Sequence, residues 1–141
     1  MAIRRFSGGA RAVRCARRAV REELGDALPE PRLSDVELLV SELATNSVRH
    51  SGVADSDELS MEAAVEPDRV RVQLFDPGEG FDVHTPAPPA RGSDGGYGLV
   101  LLDRLSDRWG VQRDNGFSVW FEVHRDRLPF GDDHSPRART A

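Results

Sequence analysis

The chain has 141 residues, of which 38% are hydrophobic and 30% charged, and its formal net charge is −5. This length predicts one globular domain, and the acidic balance argues against a general nucleic-acid binder, which is usually basic. No stretch approaches the ~18 apolar residues of a membrane span, and the first residues lack the apolar segment of a signal peptide. With Cys15 as the single cysteine, an intramolecular disulfide and a four-cysteine zinc site are excluded, and a reducing cytoplasm is the expected location.

Two helices are predicted in the first fifty residues. The first runs from about Arg11 to Leu24, where apolar side chains share one face and arginines surround the rest. Ser34 and Glu37 then form a capping-box pattern that predicts the start of a second helix. Its apolar residues recur at helical spacing up to about His50, where Ser51-Gly52 ends it.

Strands dominate the second half of the chain. Two alternating runs, Glu58–Val65 and Arg69–Phe75, predict a β-hairpin. Residues 82–96 have no hydrophobic periodicity, and such a loop is usually functional or disordered. A short helix is predicted over Leu99–Leu105. The stretches "DRWGVQR" and "FSVWFEV" around Asp114-Asn115-Gly116 predict a second hairpin.

The element order indicates the fold class. Helices grouped apart from runs of strands predict an α+β fold, a two-layer sandwich with helices on one face of a mixed, mainly antiparallel sheet. Residues 1–125 are expected to form this single domain. The polar residues 126–141 are expected to form a flexible C-terminal tail.

The first motif that carries chemistry is Glu42-Leu43-Ala44-Thr45-Asn46 on the second predicted helix. Residues four apart lie over one another, so the carboxylate and the amide point the same way. An amide oxygen is a hard ligand suited to Mg²⁺, and a carboxylate can take a proton from an attacking hydroxyl. Taken alone, the pair also fits an exposed helix edge.

The second motif is Asp76-Pro77-Gly78-Glu79-Gly80 at the end of a predicted strand. Glycines allow sharp turns and a close backbone approach to a flat ligand. An aspartate just inside the strand end can accept a hydrogen bond from an exocyclic amine such as that of adenine. A tight surface turn has the same composition, so this motif alone leaves both interpretations open.

The third motif, Gly95-Gly96-Tyr97-Gly98-Leu99, opens the short predicted helix. Free N–H groups at a helix start form a natural phosphate site, although flexible linkers are also rich in glycine. The motif is not a P-loop, because the chain contains no lysine. It is not a Rossmann fingerprint, because no strand directly precedes it.

In this order and spacing, the three motifs resemble the GHKL ATPase superfamily. "VSELATNSVRHSG" matches its N box, "FDPGEGF" its first glycine box and "GGYGLVLLDRLSDRWGV" its second, over about Ala10 to Val123. Within the superfamily, the chain looks most like the stand-alone anti-sigma factors and serine-protein kinases that control bacterial sigma factors. The resemblance implies a Bergerat-type ATP-binding fold, with ATP and Mg²⁺ as cofactors.

The resemblance also implies roles for single residues. Asn46 would hold Mg²⁺ against the ATP phosphates, and Glu42 would be the base that activates the nucleophile. Asp76 would bind the adenine amino group, in a pocket shaped by Gly78 and Gly80.

Further nucleotide contacts are implied downstream. Residues 82–95 would form a lid over the nucleotide, and Ser118 falls where the family often has a threonine near adenine. The second glycine box would contribute Gly95, Gly96, Tyr97, Gly98 and Leu99 to the site, with Gly96 and Gly98 at the phosphates.

The leading hypothesis is therefore an ATP- and Mg²⁺-dependent anti-sigma factor and serine-protein kinase. Its expected partners are a sigma factor, which it sequesters, and an anti-sigma antagonist, which it phosphorylates; homodimers are a habit of the family, and no membrane contact is expected. An alternative is an ATP-binding regulatory module without significant kinase activity.

A third hypothesis is nucleic-acid binding through the arginine-rich first helix. In the related family that helix also supplies a surface for the sigma factor or the antagonist, so no direct nucleic-acid contact is expected. Trp109 and Trp120 are predicted to be core residues of strands instead of base-stacking platforms.

Overall fold

A computed structural model of the chain describes residues 1–51, 53–81, 98–126 and 138–140. Within these residues the elements follow in the order β1 (Ala2–Ser7), α1 (Ala12–Leu24), α2 (Glu30–His50), β2 (Glu58–Val65), β3 (Arg69–Asp76), α3 (Gly98–Leu105), β4 (Arg108–Gln112), β5 (Phe117–His124) and β6 (Ala138–Thr140). The helices and hairpin strands predicted from periodicity are all present.

The described strands form one six-stranded sheet in the order β1-β2-β3-β5-β4-β6. Neighbouring strands are antiparallel, except for β4 and β6, which are parallel. Strand β5 returns beside β3, so that Arg69 lies opposite His124 and Asp76 lies opposite Phe117. The prediction of a mixed, mainly antiparallel sheet is confirmed.

The hydrophobic core lies between this sheet and the helices. Alternate residues of β2 are buried, because side chains on a strand point to opposite faces in turn, whereas β5 is buried along almost its whole length. Helix α1 contacts β1 and β2, whereas α2 contacts β3 and β5. The core side chains that are at most 1% exposed include Val20, Leu24, Val36, Val40, Leu43, Leu59, Met61, Val70, Val72 and Phe121. Each contributes about 1.5–3 kcal/mol through burial, and the predicted two-layer sandwich is confirmed.

Helix α2 begins earlier than the sequence pattern predicts. It starts at Glu30 after Pro29, with Pro31 in its first turn, where proline costs no hydrogen bond because those N–H groups have no helical acceptor. Ser34 therefore lies inside the helix, and the predicted capping box is wrong. Glu37 instead contacts α1: its carboxylate accepts a hydrogen bond from Arg17 and forms an ion pair with Arg21.

Two edge strands were not predicted. In β1 only Phe6 is buried, and Arg4 on the helix side reaches Glu22 and Glu23 of α1 at 2.9 and 3.0 Å. Strand β6 pairs with β4 inside the predicted tail. Residues 127–137 lie outside the described residues, so the flexibility of the tail and the domain boundary at residue 125 stay predictions.

The second hairpin turns as its sequence predicts. Asn115 has a φ of 58° and Gly116 a φ of 107°. Asparagine and glycine are the residues that tolerate this left-handed region, and turns of this kind match the twist of the flanking strands. The turn therefore sets the β4–β5 register that places Gln112 opposite Ser118.

The two tryptophans lie on opposite faces of the sheet. Trp109 is fully buried in the core between sheet and helices, as predicted. Trp120 is only 7% exposed but lies on the other face, outside the core cluster, with the Arg71 guanidinium 4.2 Å from the ring centroid. The same face holds Glu122, which pairs with Arg69 and Arg71.

Over the described ranges, none of the helices combines the length and the apolar character needed to cross a bilayer.

A buried ion pair fixes the start of α2. Arg32 is 3% exposed, and its Nη2 donates to Asp107 Oδ2 at 3.2 Å, while its Nη1 donates to the Leu105 carbonyl at 3.4 Å. Asp107 Oδ2 also accepts the His124 N–H at 2.7 Å. Burial raises the pKa of the neighbouring Asp35, and the Arg32 charge opposes that rise. One guanidinium thus joins α2 to the junction of α3 and β4.

We expect Arg32→Met to lower the free energy of unfolding by about 3–5 kcal/mol, because it removes the buried cation that donates to the buried Asp107 carboxylate. Urea denaturation at pH 7 measures this. The exposed Arg104→Met is the matched control and should change stability by less than about 0.5 kcal/mol. The double variant Arg32→Met/Asp107→Asn should regain part of the loss. Purely additive effects of the two substitutions would contradict this interpretation.

Candidate functional site

Helix α2 presents Asn46 from its buried side. Leu39, Val40 and Leu43 hold the helix against the sheet and are at most 1% exposed. Asn46 follows on the same side, is 6% exposed, and its Oδ1 is buried without a hydrogen-bond partner among the described residues. A buried acceptor left unpaired costs about 1–3 kcal/mol. This oxygen is therefore suited to a cation or a donor supplied by a ligand.

Glu42 lies one helical turn before Asn46 and is half-buried. The structure therefore keeps the predicted carboxylate and amide on the same helix, four residues apart. The described residues contain no group of three His, Cys, Asp or Glu side chains that could hold a metal ion.

Asp76, the last residue of β3, is 3% exposed. It follows Val70, Val72 and Leu74 at alternate positions, so it faces the helical layer. Its Oδ1 accepts the Ser51 hydroxyl at 2.7 Å and the Gly78 N–H at 2.6 Å. Its Oδ2 is buried and has no hydrogen-bond partner within the described ranges. One carboxylate oxygen is thus held by the protein, and the other is left to accept.

Ser51 connects the end of α2 to the turn after β3. It is the C-cap of α2 and is 1% exposed. Its hydroxyl donates to Asp76 and accepts the Gly80 N–H at 2.8 Å, while its carbonyl accepts the Glu79 N–H at 2.9 Å. The sequence pattern identified Ser51 only as a helix stop. Its place five residues after Asn46 was the single signal for a further role.

The glycines of the turn allow it to pack closely. A Cβ on Gly78 would lie 2.2 Å from the Ser51 carbonyl oxygen, and one on Gly80 would lie 2.5 Å from the Phe117 ring. Gly80 also has a φ of +83°, which side-chain-bearing residues rarely adopt. Gly78 and Gly80 therefore let the turn rest against Ser51 and Phe117.

Two phenylalanines form an apolar wall beside Asp76. Phe117 lies opposite Asp76 in the sheet, and its ring meets that of Phe81 edge to face with centroids 4.8 Å apart. Arg113 closes the outer side, with its guanidinium 4.8 Å from the Phe117 centroid. The sequence pattern did not identify Phe117 as a site residue, because only the strand register places it there.

Ser118 is not brought to this site. It lies on the opposite face of the sheet, because consecutive strand residues alternate between the faces. Its hydroxyl accepts the Gln73 side-chain N–H at 2.9 Å, and Gln73 also donates to Gln112 at 3.0 Å. Phe117, not Ser118, is the β5 residue on the same side as Asp76.

The third motif is described only at its end. Gly98 opens α3 and Leu99 follows it, as predicted for the start of a helix. Gly95, Gly96, Tyr97 and the predicted lid at 82–95 lie outside the described residues. Helix α3 itself is fixed by Leu102, which is fully buried, and by Asp103, which accepts the Trp109 indole N–H at 3.0 Å.

Known proteins with similar sequences identify the family. The sequence model of the family described as "Histidine kinase-like ATPase domain" matches residues 6–122. The chain is 36% identical over 112 residues to the serine-protein kinase RsbW of Bacillus licheniformis, a match that covers 70% of each protein.

Proteins of the same name in two further species are similar as well. That of Listeria monocytogenes serotype 4a is 34% identical over 98 residues, 62% of each protein. That of Bacillus subtilis strain 168 is also 34% identical over 98 residues, which are 62% of this chain and 61% of the relative. The family match covers α2, Asp76 and the following turn, the positions at which the structure places its buried, unpaired oxygens. The chain belongs to the histidine kinase-like ATPase domain family, in the GHKL branch that contains these serine-protein kinases.

Proposed function

We propose that the chain is an ATP- and Mg²⁺-dependent serine-protein kinase that acts as an anti-sigma factor. It would phosphorylate a serine of an antagonist protein and sequester a sigma factor. One observation carries the proposal: Asn46 Oδ1 and Asp76 Oδ2 are both buried and both lack a partner among the described residues. These are the positions that the N box and the first glycine box assign to metal and adenine.

The base of the nucleotide would be recognised by Asp76. A carboxylate oxygen accepts and cannot donate, so Oδ2 suits the exocyclic amine of adenine. Phe117, which lies opposite Asp76 in the sheet, would give the base an apolar surface beside that carboxylate. Gly78 and Gly80 contribute by letting the turn pack closely.

The phosphates would lie towards Asn46 and the second glycine box. The amide oxygen of Asn46 fits Mg²⁺, which when bound neutralises charge on the transferred phosphoryl group. Gly95, Gly96, Tyr97, Gly98 and Leu99 remain predicted contacts. Their support is the helix that begins at Gly98, whose free N–H groups suit phosphate oxygens.

Glu42 would act as the general base. Its carboxylate takes the proton of the acceptor serine as that hydroxyl oxygen bonds to the γ-phosphorus and the bond to the bridging oxygen breaks, releasing ADP. Its position one turn from Asn46, half-buried at the same side of α2, supports this role. Activity in the cytoplasm and homodimer formation stay predictions.

The partner surface is proposed on α1. A groove of about 720 Å³ is lined by Val13, by arginines of this helix and by Glu22 and Glu37. Glu37 pairs with Arg17 and Arg21 at 3.1 and 2.7 Å, and the two further arginines, Arg14 and Arg18, are exposed. This basic face suits an acidic segment of a sigma factor or antagonist, and it is the same helix for which nucleic-acid binding was considered.

For Asn46→Ala we expect the Kd for Mg·ATP to rise at least about tenfold, a loss of ~1.4 kcal/mol of binding free energy. The Kd for ATP in EDTA should change little. The lost group is the metal ligand, so only the metal-dependent part of binding falls. Isothermal titration calorimetry measures both conditions. Thr45→Ala is the matched control, since Thr45 lies next to Asn46 and its hydroxyl donates to the Ser41 carbonyl of its own helix at 2.8 Å. Equal losses in Asn46→Ala and Thr45→Ala would remove the metal role.

Glu42→Gln should lower phosphate transfer by about 10²–10⁴-fold while leaving the Kd for Mg·ATP within about twofold, because the amide keeps the shape and loses the base. Transfer from γ-labelled ATP to a purified antagonist encoded beside the gene gives the rate. A wild-type chain that binds Mg·ATP and phosphorylates no such antagonist would favour the alternative, a regulatory module without significant kinase activity. Equal transfer by both proteins would rule out the base role.

The double variant Arg14→Glu/Arg18→Glu should weaken binding of the same antagonist or of a sigma factor at least about tenfold, without changing the Kd for ATP. Arg5→Glu is the control, since Arg5 is exposed on the other face of the sheet. Surface plasmon resonance at two salt concentrations measures the complexes. Unchanged affinity in Arg14→Glu/Arg18→Glu would show that the partner does not bind at this face of α1.

A further inference from the structure

We infer that Ser51 is a positioning residue for adenine recognition. Its hydroxyl holds the carboxylate of Asp76 in the one orientation that leaves Oδ2 for the exocyclic amine. The inference rests on the proposed function and deepens it, because it assigns base specificity to a residue that directly contacts Asp76 and not the nucleotide.

The hydroxyl of Ser51 makes two bonds with a fixed direction. It donates its single proton to Asp76 Oδ1 at 2.7 Å and accepts the Gly80 N–H at 2.8 Å. Since a hydroxyl carries only one proton, the bond from Gly80 keeps that proton turned towards Asp76. Ser51 is 1% exposed, so bulk water does not compete for these bonds.

The bonds at Oδ1 determine the role of Oδ2. Oδ1 accepts from both the Ser51 hydroxyl and the Gly78 N–H, and rotation of the carboxylate would break both bonds. Oδ2 therefore stays on the other side, buried and without a partner among the described residues. An unpaired buried acceptor of this kind is suited to a donor of the ligand.

This arrangement distinguishes purines by the group at position six. An amine there donates to Oδ2, whereas hydrogen makes no bond and a carbonyl oxygen would face another acceptor. If the Ser51 hydroxyl is removed, Asp76 Oδ1 keeps one of its two donors among the described residues, the Gly78 N–H, and Gly80 loses the hydroxyl as its acceptor. The carboxylate and the turn then lose their common anchor, and the amine loses its fixed acceptor.

A purely structural Ser51 makes a different prediction. Loss of its two buried hydrogen bonds would lower the stability of the fold and weaken all nucleotides alike. A positioning Ser51 instead changes the ratio between nucleotides that differ only in the amine. The ratio of two affinities, not one affinity, separates the two roles.

The experiment measures the Kd of ATP and of purine riboside triphosphate, which lacks the amine, by calorimetry with Mg²⁺ on the full chain. Wild type should bind ATP at least about tenfold more tightly than the analogue. Ser51→Ala should reduce this preference at least about fivefold, and Asp76→Asn should do the same. The control is Ser47→Ala, which removes a hydroxyl of α2 that is 0% exposed and has no hydrogen-bond partner among the described residues, and it should keep the preference.

The outcomes separate the inference from the proposed function. A wild-type chain that does not bind ATP, or shows no preference for the amine, overturns the adenine assignment and the role of Ser51 with it. A wild-type preference that Ser51→Ala retains overturns the positioning role alone. If Ser51→Ala does not fold, Ser51→Cys replaces it, since a thiol is a weak donor; an unchanged preference in that variant overturns the inference as well.

Discussion

The packing of α2 against the sheet is the constraint on which the rest of the site depends. Its apolar stripe is almost fully buried, and polar contacts hold both of its ends. At the start, Arg32 reaches Asp107 at the junction of α3 and β4. At the end, Ser51 reaches Asp76 at the end of β3. A helix held at both ends cannot slide along the sheet, so Asn46 stays at a fixed height relative to the strand ends.

The same packing creates an energetic cost that a ligand can offset. Asn46 Oδ1 and Asp76 Oδ2 are removed from water without a partner in the described part of the chain, and each such acceptor destabilises the fold by about 1–3 kcal/mol. Under the proposed function, a bound nucleotide and its cation would give both oxygens a partner. Ligand at a hundred times its Kd would then add about 2.7 kcal/mol of stability. The same two unpaired oxygens would thus lower the stability of the free protein and contribute to its affinity for a nucleotide.

Periodicity predicted the layers of this fold, whereas contacts between distant residues determined the details of the site. The helical stripe around Leu43 and the alternation around Val72 were sufficient for α2 and β3. Strand β1 was not predicted, because its inward-facing Arg4 pairs with α1 and so breaks the alternation of apolar and polar residues. Ser51 could not be assigned, since nothing local shows that residues 51 and 76 meet. The choice between Phe117 and Ser118 depended on register, and a shift of one residue exchanges the two faces.

The pairing of Asp76 with Phe117 has a consequence for how this chain can vary between relatives. Strand β3 ends at Asp76 and β5 begins directly opposite, at Phe117. The chain between them includes α3 and β4, and its two ends are held together by the pairing of β3 with β5. The entropy cost of closing a chain segment grows only slowly with its length, by about 0.6 kcal/mol for each doubling. Relatives can therefore differ in the length of the connection between β3 and β5 while the paired positions of Asp76 and Phe117 stay the same.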